Sequence, residues 1–139
     1  MATRTTGNVI RYAVKRTMQF LKTSKAFPFS TAVIHSGRTL ETVLTGIHPG
    51  ESKPVPGGVS AELREIFRQL DEVLAEAALT KFAVVSARLY LQDVLRDIAE
   101  ANAVYKEYFG DHPPNRRAYG VTLQSGMLIE AAFVAEVSG

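Results

Sequence analysis

The run Met127-Leu128-Ile129-Glu130-Ala131-Ala132-Phe133-Val134-Ala135 reads as a strand buried in a sheet, and its only charge is a carboxylate. A nearly continuous apolar run of this length belongs inside a sheet. A strand carries a charge there only if the side chain reaches a partner, a ligand or a cavity. Upstream stands Pro113-Pro114-Asn115-Arg116-Arg117-Ala118-Tyr119-Gly120-Val121. The two prolines stop whatever helix precedes them, and a guanidinium then opens an alternating segment. Arg116 and Glu130 therefore read as two halves of one polar site. The bland alternative is a salt bridge between adjacent strands.

The rest of the composition narrows what that site can be. A chain of 139 residues forms a single domain, 1–139, with a core large enough to need no metal or disulfide staple. With no cysteine, a disulfide framework, thiolate zinc sites and a cysteine nucleophile are all excluded. His35, His48 and His112 show no ligand spacing, so no metal site is expected. No apolar run approaches the ~20 residues of a membrane span, and the expectation is a soluble, cytoplasmic protein with no membrane partner.

The net charge of +2 is too small to argue for nucleic acid, but its distribution is lopsided. Arg4, Arg11, Lys15, Arg16, Lys22, Lys25 and Arg38 all precede the first acidic residue, Glu41. Such a start could be a mitochondrial presequence or a nucleic-acid arm. The alternation through Val14-Lys15-Arg16-Thr17-Met18-Gln19-Phe20-Leu21 favours a strand with a solvated basic face.

Phe27-Pro28-Phe29-Ser30 breaks that strand. Thr31–His35 and Thr39–Thr45 flank Ser36-Gly37 and predict a β-hairpin. The segment His48–Gly58, with three prolines and three glycines, predicts a long loop. From Val59 the period changes. Val59, Leu63, Ile66, Phe67, Leu70, Val73, Leu74 and Ala77 recur every three or four residues, an amphipathic helix with Glu62 in its first turn beside the positive dipole end.

Phe82–Leu91 alternates again. Ala83, Val85, Ala87, Leu89 and Leu91 form a face to lie under helices. Phe82, Val84, Ser86, Arg88 and Tyr90 form one suited to a subunit interface or a lined cavity. Asp97-Ile98-Ala99-Glu100 resembles a capping box and predicts a second helix ending near Phe109, with Gly110 as its cap. Asn102 shares the stripe of Ile98, Tyr105 and Phe109, so it holds a backbone loop, a neighbouring strand or a ligand. The sum is an α+β layer, a mixed sheet with two helices packed on one face.

Taken in order, several pieces resemble the RidA (YjgF) family of enamine/imine deaminases, formerly called L-PSP endoribonucleases or translation inhibitors. They are Pro28-Phe29-Ser30-Thr31-Ala32-Val33, Leu44-Thr45-Gly46, Val55-Pro56-Gly57-Gly58-Val59, Leu91-Gln92-Asp93, Ala101-Asn102-Ala103-Val104-Tyr105-Lys106-Glu107-Tyr108-Phe109-Gly110, Pro113-Pro114-Asn115-Arg116 and Gly126-Met127-Leu128-Ile129-Glu130. The resemblance spans Pro28 to Val137 and leaves residues 1–13 as an extension.

It implies a chorismate-mutase-like α+β fold assembled as a homotrimer, with an active site in each cleft between subunits. It also implies cofactor-free hydrolysis of reactive 2-imino or enamine acids to 2-keto acids and ammonia. The family's carboxylate-binding arginine falls on Arg116 and its water-activating glutamate on Glu130. Its pocket asparagine falls on Asn102, and its small hydroxyl and glycine on Thr45 and Gly46. This chain departs from the family pattern at Phe29, where members commonly carry tyrosine, at Ile47 in place of glutamine, and at Ala118 in place of cysteine. These changes imply a more apolar pocket. The turn before Glu130 is also one residue short, with the deletion placed near Gln124–Gly126.

The residue chemistry suits those roles. A planar guanidinium holds a carboxylate through two parallel hydrogen bonds, and an ionised glutamate can align and deprotonate a water. Two other functions compete: a non-catalytic trimer that binds a small carboxylate, and RNA binding or cleavage through the basic start. The latter lacks catalytic histidine pairs and a run of aromatics to stack bases.

Overall fold

The computed structural model describes residues 2–5, 9–12, 18–26, 28, 30–35 and 37–137. Segments of period two form the strands β1 (Ala2–Thr5), β2 (Val9–Tyr12), β3 (Met18–Thr23), β4 (Ser30–His35), β5 (Arg38–Thr45), β6 (Val84–Leu91), β7 (Asn115–Gly120) and β8 (Ile129–Val137). Segments of helical period form α1 (Gly58–Glu76) and α2 (Val94–Phe109). β1 and β2 make their own antiparallel ladder, and the others form a mixed sheet in the order β3-β4-β7-β6-β8-β5. β6 and β7 run parallel, β8 is antiparallel to both β6 and β5, and β4 touches β7 through one pair, Ser30 with Asn115. This is the expected α+β arrangement of a mixed sheet and two helices. The expected basic strand begins at Met18 among the described residues, with 13–17 outside them.

One face of the sheet is the core. Ala87, Leu89 and Leu91 of β6 and Ile129, Ala131, Phe133 and Ala135 of β8 are buried beneath α1 and α2. α1 contributes Val59, Leu63, Ile66, Phe67, Leu70 and Leu74, the stripe its periodicity predicts. Each large apolar side chain removed from water contributes roughly 1.5–3 kcal/mol. Phe67 is the hub: it stacks on Tyr108 of α2 at 4.1 Å and meets Phe109 edge-on at 5.7 Å and Phe133 of β8 at 6.0 Å. The opposite face stays open, carrying Arg88 and Tyr90 half-buried and Val43 and Tyr119 exposed. The two-faced reading of the Phe82–Leu91 segment therefore holds from Ser86 onward. Its first residues instead form a 3₁₀ turn, Lys81–Ala83, and a bulge between Val84 and Ser86 resets the alternation.

Three local expectations change. The hairpin about Ser36-Gly37 does not form: β4 pairs with β3, and β5 pairs over its whole length with β8. Turn residues reverse the chain without naming its neighbour. The eight-residue ladder to β8 lays β5's Leu40 and Leu44 against the core. α2 starts earlier than the Asp97 pattern suggests, because the Asp93 carboxylate accepts the Arg96 N–H at 3.1 Å as the N-cap. Asp97 is buried in the first turn and binds the Arg96 guanidinium at 2.9 Å. Glu62 is the fifth residue of α1, beyond the first turn, and is only 2% exposed. Gly110 does end α2, at φ 62°, with its N–H on the Lys106 carbonyl.

Candidate active site

Arg116 is placed by its neighbours on both sides. Buried Pro113 and Pro114 end the link from α2, and β7 pairs Arg116 with Ala87. Residues paired across a ladder share a face, so Arg116 points to the helix side. There Nη1 donates to Asn102 Oδ1 at 2.6 Å, and the guanidinium carbon lies 5.0 Å from the centre of the Tyr105 ring. Tyr105 is wholly buried, and α2 carries it one turn beyond Asn102. The cation over the ring face is a favourable contact.

Among the described residues no carboxylate pairs with Arg116, and its buried Nε has no hydrogen-bond partner. Burial lowers its pKa, opposed by the charge interaction with Tyr105; a guanidinium remains charged regardless. Ala118 follows two residues later on the same face, half-buried against the core. Asn102 thus takes its polar partner from a neighbouring strand, one of the options its stripe position allowed.

Glu130 lies elsewhere. Its ladder partners are Tyr90 on β6 and Thr45 on β5, so it projects from the open face. β7 and β8 flank β6, roughly 10 Å apart, and the partners Ala87 and Tyr90 are three residues apart, roughly another 10 Å. Arg116 and Glu130 consequently stand on opposite faces and do not form one site within a chain. The same geometry removes the ion-pair alternative, because the strands are not adjacent. The physical reason is the strand's period of two, which fixes a side chain's face by its register rather than by its proximity in sequence.

With Glu130 the structure gathers the end of β5. Thr45 is its direct ladder partner. The Thr45 hydroxyl accepts the Ile47 N–H at 3.4 Å, and Ile47 makes an isolated bridge to Pro54. Gly46 is buried, and a Cβ there would stand 2.6 Å from Glu62 Cβ, so only glycine admits α1 this closely. The Gln69 amide donates to the carbonyls of Thr45 (3.2 Å) and Ile47 (3.0 Å). The candidates therefore fall into two groups, Arg116, Asn102 and Ala118 on one face and Glu130 with the Thr45–Ile47 segment at the other. Phe29 lies outside the described residues.

Sequence reasoning reads Glu62 only as a dipole partner, misses Gln69, and gives Tyr105 no role beyond a place in the stripe of Asn102. The signal was present for the first two: both fall at helical spacing from the buried Ile66, on the face that turns inward. Among the described residues no group of three or more His, Asp or Glu could hold a metal ion.

A mixed sheet with two helices on one face, and a half-buried arginine with no carboxylate partner among the described residues, define the class: an α+β protein. Residues 21–137 match the family model described as Endoribonuclease L-PSP, and the chain belongs to that family, also called Rid or YjgF. It is similar to the 2-iminobutanoate/2-iminopropanoate deaminase of Bos taurus, 33% identical over 78% of this chain and 79% of that one. The protein of the same name from Capra hircus is 32% identical over 88% of this chain and 90% of its own. Among solved structures, YyfB from Yersinia pestis, a protein of unknown function of the conserved Rid family, superposes with TM-score 0.72 at 28% identity, covering 86% of this chain and 97% of that one. Yeast Mmf1 shares the fold, with TM-score 0.66 at 24% identity over 86% of this chain and 98% of its own.

Proposed function

We propose that the protein hydrolyses small 2-imino acids to 2-keto acids and ammonia without a cofactor, as a homotrimer whose sites form between subunits. The observation that carries this reading is the half-buried Arg116 guanidinium, with no carboxylate partner among the described residues and held by Asn102 and the Tyr105 ring. A buried cation is costly unless it is paired, and a substrate carboxylate supplies the missing charge through two parallel hydrogen bonds. The deaminase names of the relatives supply the substrate class.

The opposed faces of Arg116 and Glu130 favour a site completed across an interface, with Arg116 of one subunit facing Glu130 of the next. The open sheet face, with exposed Val43 and the stacked pair Tyr90 and Tyr119, is a surface suited to that contact. In the reaction, Arg116 fixes the carboxylate and Glu130 takes a proton from water as its oxygen bonds to the imine carbon. Glu130 returns that proton to the imine nitrogen to give a neutral carbinolamine. It then takes the carbinolamine hydroxyl proton and passes it to the nitrogen as the C–N bond breaks, so that ammonia leaves and the C–O bond becomes the keto carbonyl. Such acid–base help is worth roughly 10² to 10⁴ in rate.

A second reading is a trimer that only binds small carboxylates, and it is favoured by Glu130 standing away from Arg116 in the chain. Ammonia release from enzymatically generated 2-iminopropanoate or 2-iminobutanoate separates the two. Arg116→Ala and Glu130→Gln should both fall well below wild type. Wild-type rates in Arg116→Ala would end the catalytic reading of this site, and loss of carboxylate binding with no effect of Glu130→Gln would select the binding trimer.

A further inference from the structure

We propose that Glu62 is a positioning residue for Glu130: its buried carboxylate pins the first peptides of β8 and so decides which face of the sheet Glu130 occupies. The proposal rests on Glu130 serving as the base.

The segment before β8 needs such a pin. Residues 121–128 belong to no strand, and Ser125 and Gly126 both take positive φ, at 58° and 74°. A hydrogen bond inside that turn, from the Met127 N–H to the Gln124 carbonyl at 3.0 Å, stops short of the strand's first residues. A slip of one residue would send Glu130 into the core and Ile129 to the open face. The carboxylate acts at that point. Glu62 Oε1 accepts the Leu128 N–H at 2.9 Å, and the Ile129 N–H also interacts with the carboxylate. These are the two residues immediately before Glu130.

A carboxylate is an acceptor only, so it can answer two converging N–H groups without burying a donor of its own. The Leu128 carbonyl is held from the other side by the Gln92 N–H at 3.0 Å, and the Gln92 side chain accepts the Leu123 N–H at 2.6 Å. The Glu62 backbone is fixed in turn by its contact with Gly46, next to Thr45, the ladder partner of Glu130. One helical side chain thus ties α1, the end of β5 and the start of β8 into a single frame.

The test compares Glu62→Asp, which keeps the charge but falls one methylene short, with Glu62→Gln, which keeps the reach and one acceptor. Imine hydrolysis is measured together with amide hydrogen exchange at Leu128. Glu62→Asp should lose exchange protection at Leu128 and lower kcat by about 10²-fold, the cost of a misplaced catalytic group, with KM little changed. Glu62→Gln should retain protection at Leu128 and most of kcat. Equal kcat in Glu62→Asp and wild type would overturn the proposal. So would a loss in Glu62→Asp that follows only the fraction of folded protein and is not rescued in Glu62→Gln. Glu130→Gln is measured in parallel: low kcat there with normal kcat in Glu62→Asp overturns the positioning role and leaves the deaminase reading standing, whereas full kcat in Glu130→Gln overturns both.

Discussion

Replacing Asn102 by alanine removes the side-chain acceptor that Arg116 uses, a contact of 2.6 Å to a charged donor. Hydrogen bonds to charged groups contribute roughly 1.5–3 kcal/mol. The guanidinium is half-buried and water can take part of the place, which sets the loss at the low end, about 1.5 kcal/mol. That corresponds to about a tenfold change in an equilibrium constant. On the proposed reading the substrate carboxylate is gripped equally before and during reaction, so the loss should appear as a KM for the imino acid raised about tenfold, with kcat changed much less.

Asn102→Asp extends the reasoning with an opposite pair of effects. A carboxylate at this place would supply a counter-ion that Arg116 does not find among the described residues, so the thermal midpoint should rise while substrate binding falls further than in Asn102→Ala. Continuous ammonia release across a range of imine concentrations, with a thermal unfolding curve for each variant, measures both. An Asn102→Asp variant that binds substrate as well as Asn102→Ala would refute the claim that Arg116 is held ready for a carboxylate.

Tyr105→Phe keeps the ring beneath Arg116 and removes a buried hydroxyl that has no partner among the described residues. Burial pushes that phenol far above its ordinary pKa, so only a neutral hydroxyl is lost. The variant should match or exceed wild-type stability, by up to about 1 kcal/mol, with unchanged KM; a raised KM would mean that the hydroxyl reaches the substrate. Glu65 gives a pH test. Its hydrogen bonds to Arg68 hold the carboxylate at about 2, below its ordinary 4.5. A depressed pKa contributes stability that is complete above 4.5 and is lost as pH falls toward about 2. Urea midpoints should therefore drop through that window in wild type and less in Glu65→Gln, and parallel curves would contradict the assignment.

Periodicity carried most of the fold. The apolar stripe of α1 and the alternation of β6 identified buried faces because burial follows the period of the element. Pairing was less legible: β5 lies beside β8 rather than β4 because long-range burial outweighs the local turn. The site was legible as residue types and illegible as geometry. Glu130 stands out as a charge in an apolar strand and Arg116 as the guanidinium after a double proline, yet their faces depend on registers that run through β6, a strand that neither residue belongs to. Glu62 was read as a dipole partner at the helix start. Its true place, facing the turn before β8, follows from the approach of α1 to Gly46, which no local pattern encodes.

On the proposed reading Arg116 and Glu130 act together only across a subunit boundary, and mixing two inactive variants is the direct test. Arg116→Ala and Glu130→Gln proteins, dissociated, combined in equal amounts and reassembled, should recover activity. Random exchange leaves about a quarter of the interfaces with both groups intact. A mixture that stays as inactive as its components after proven subunit exchange would contradict the account and place both groups in the same chain's site, against the opposed faces described above.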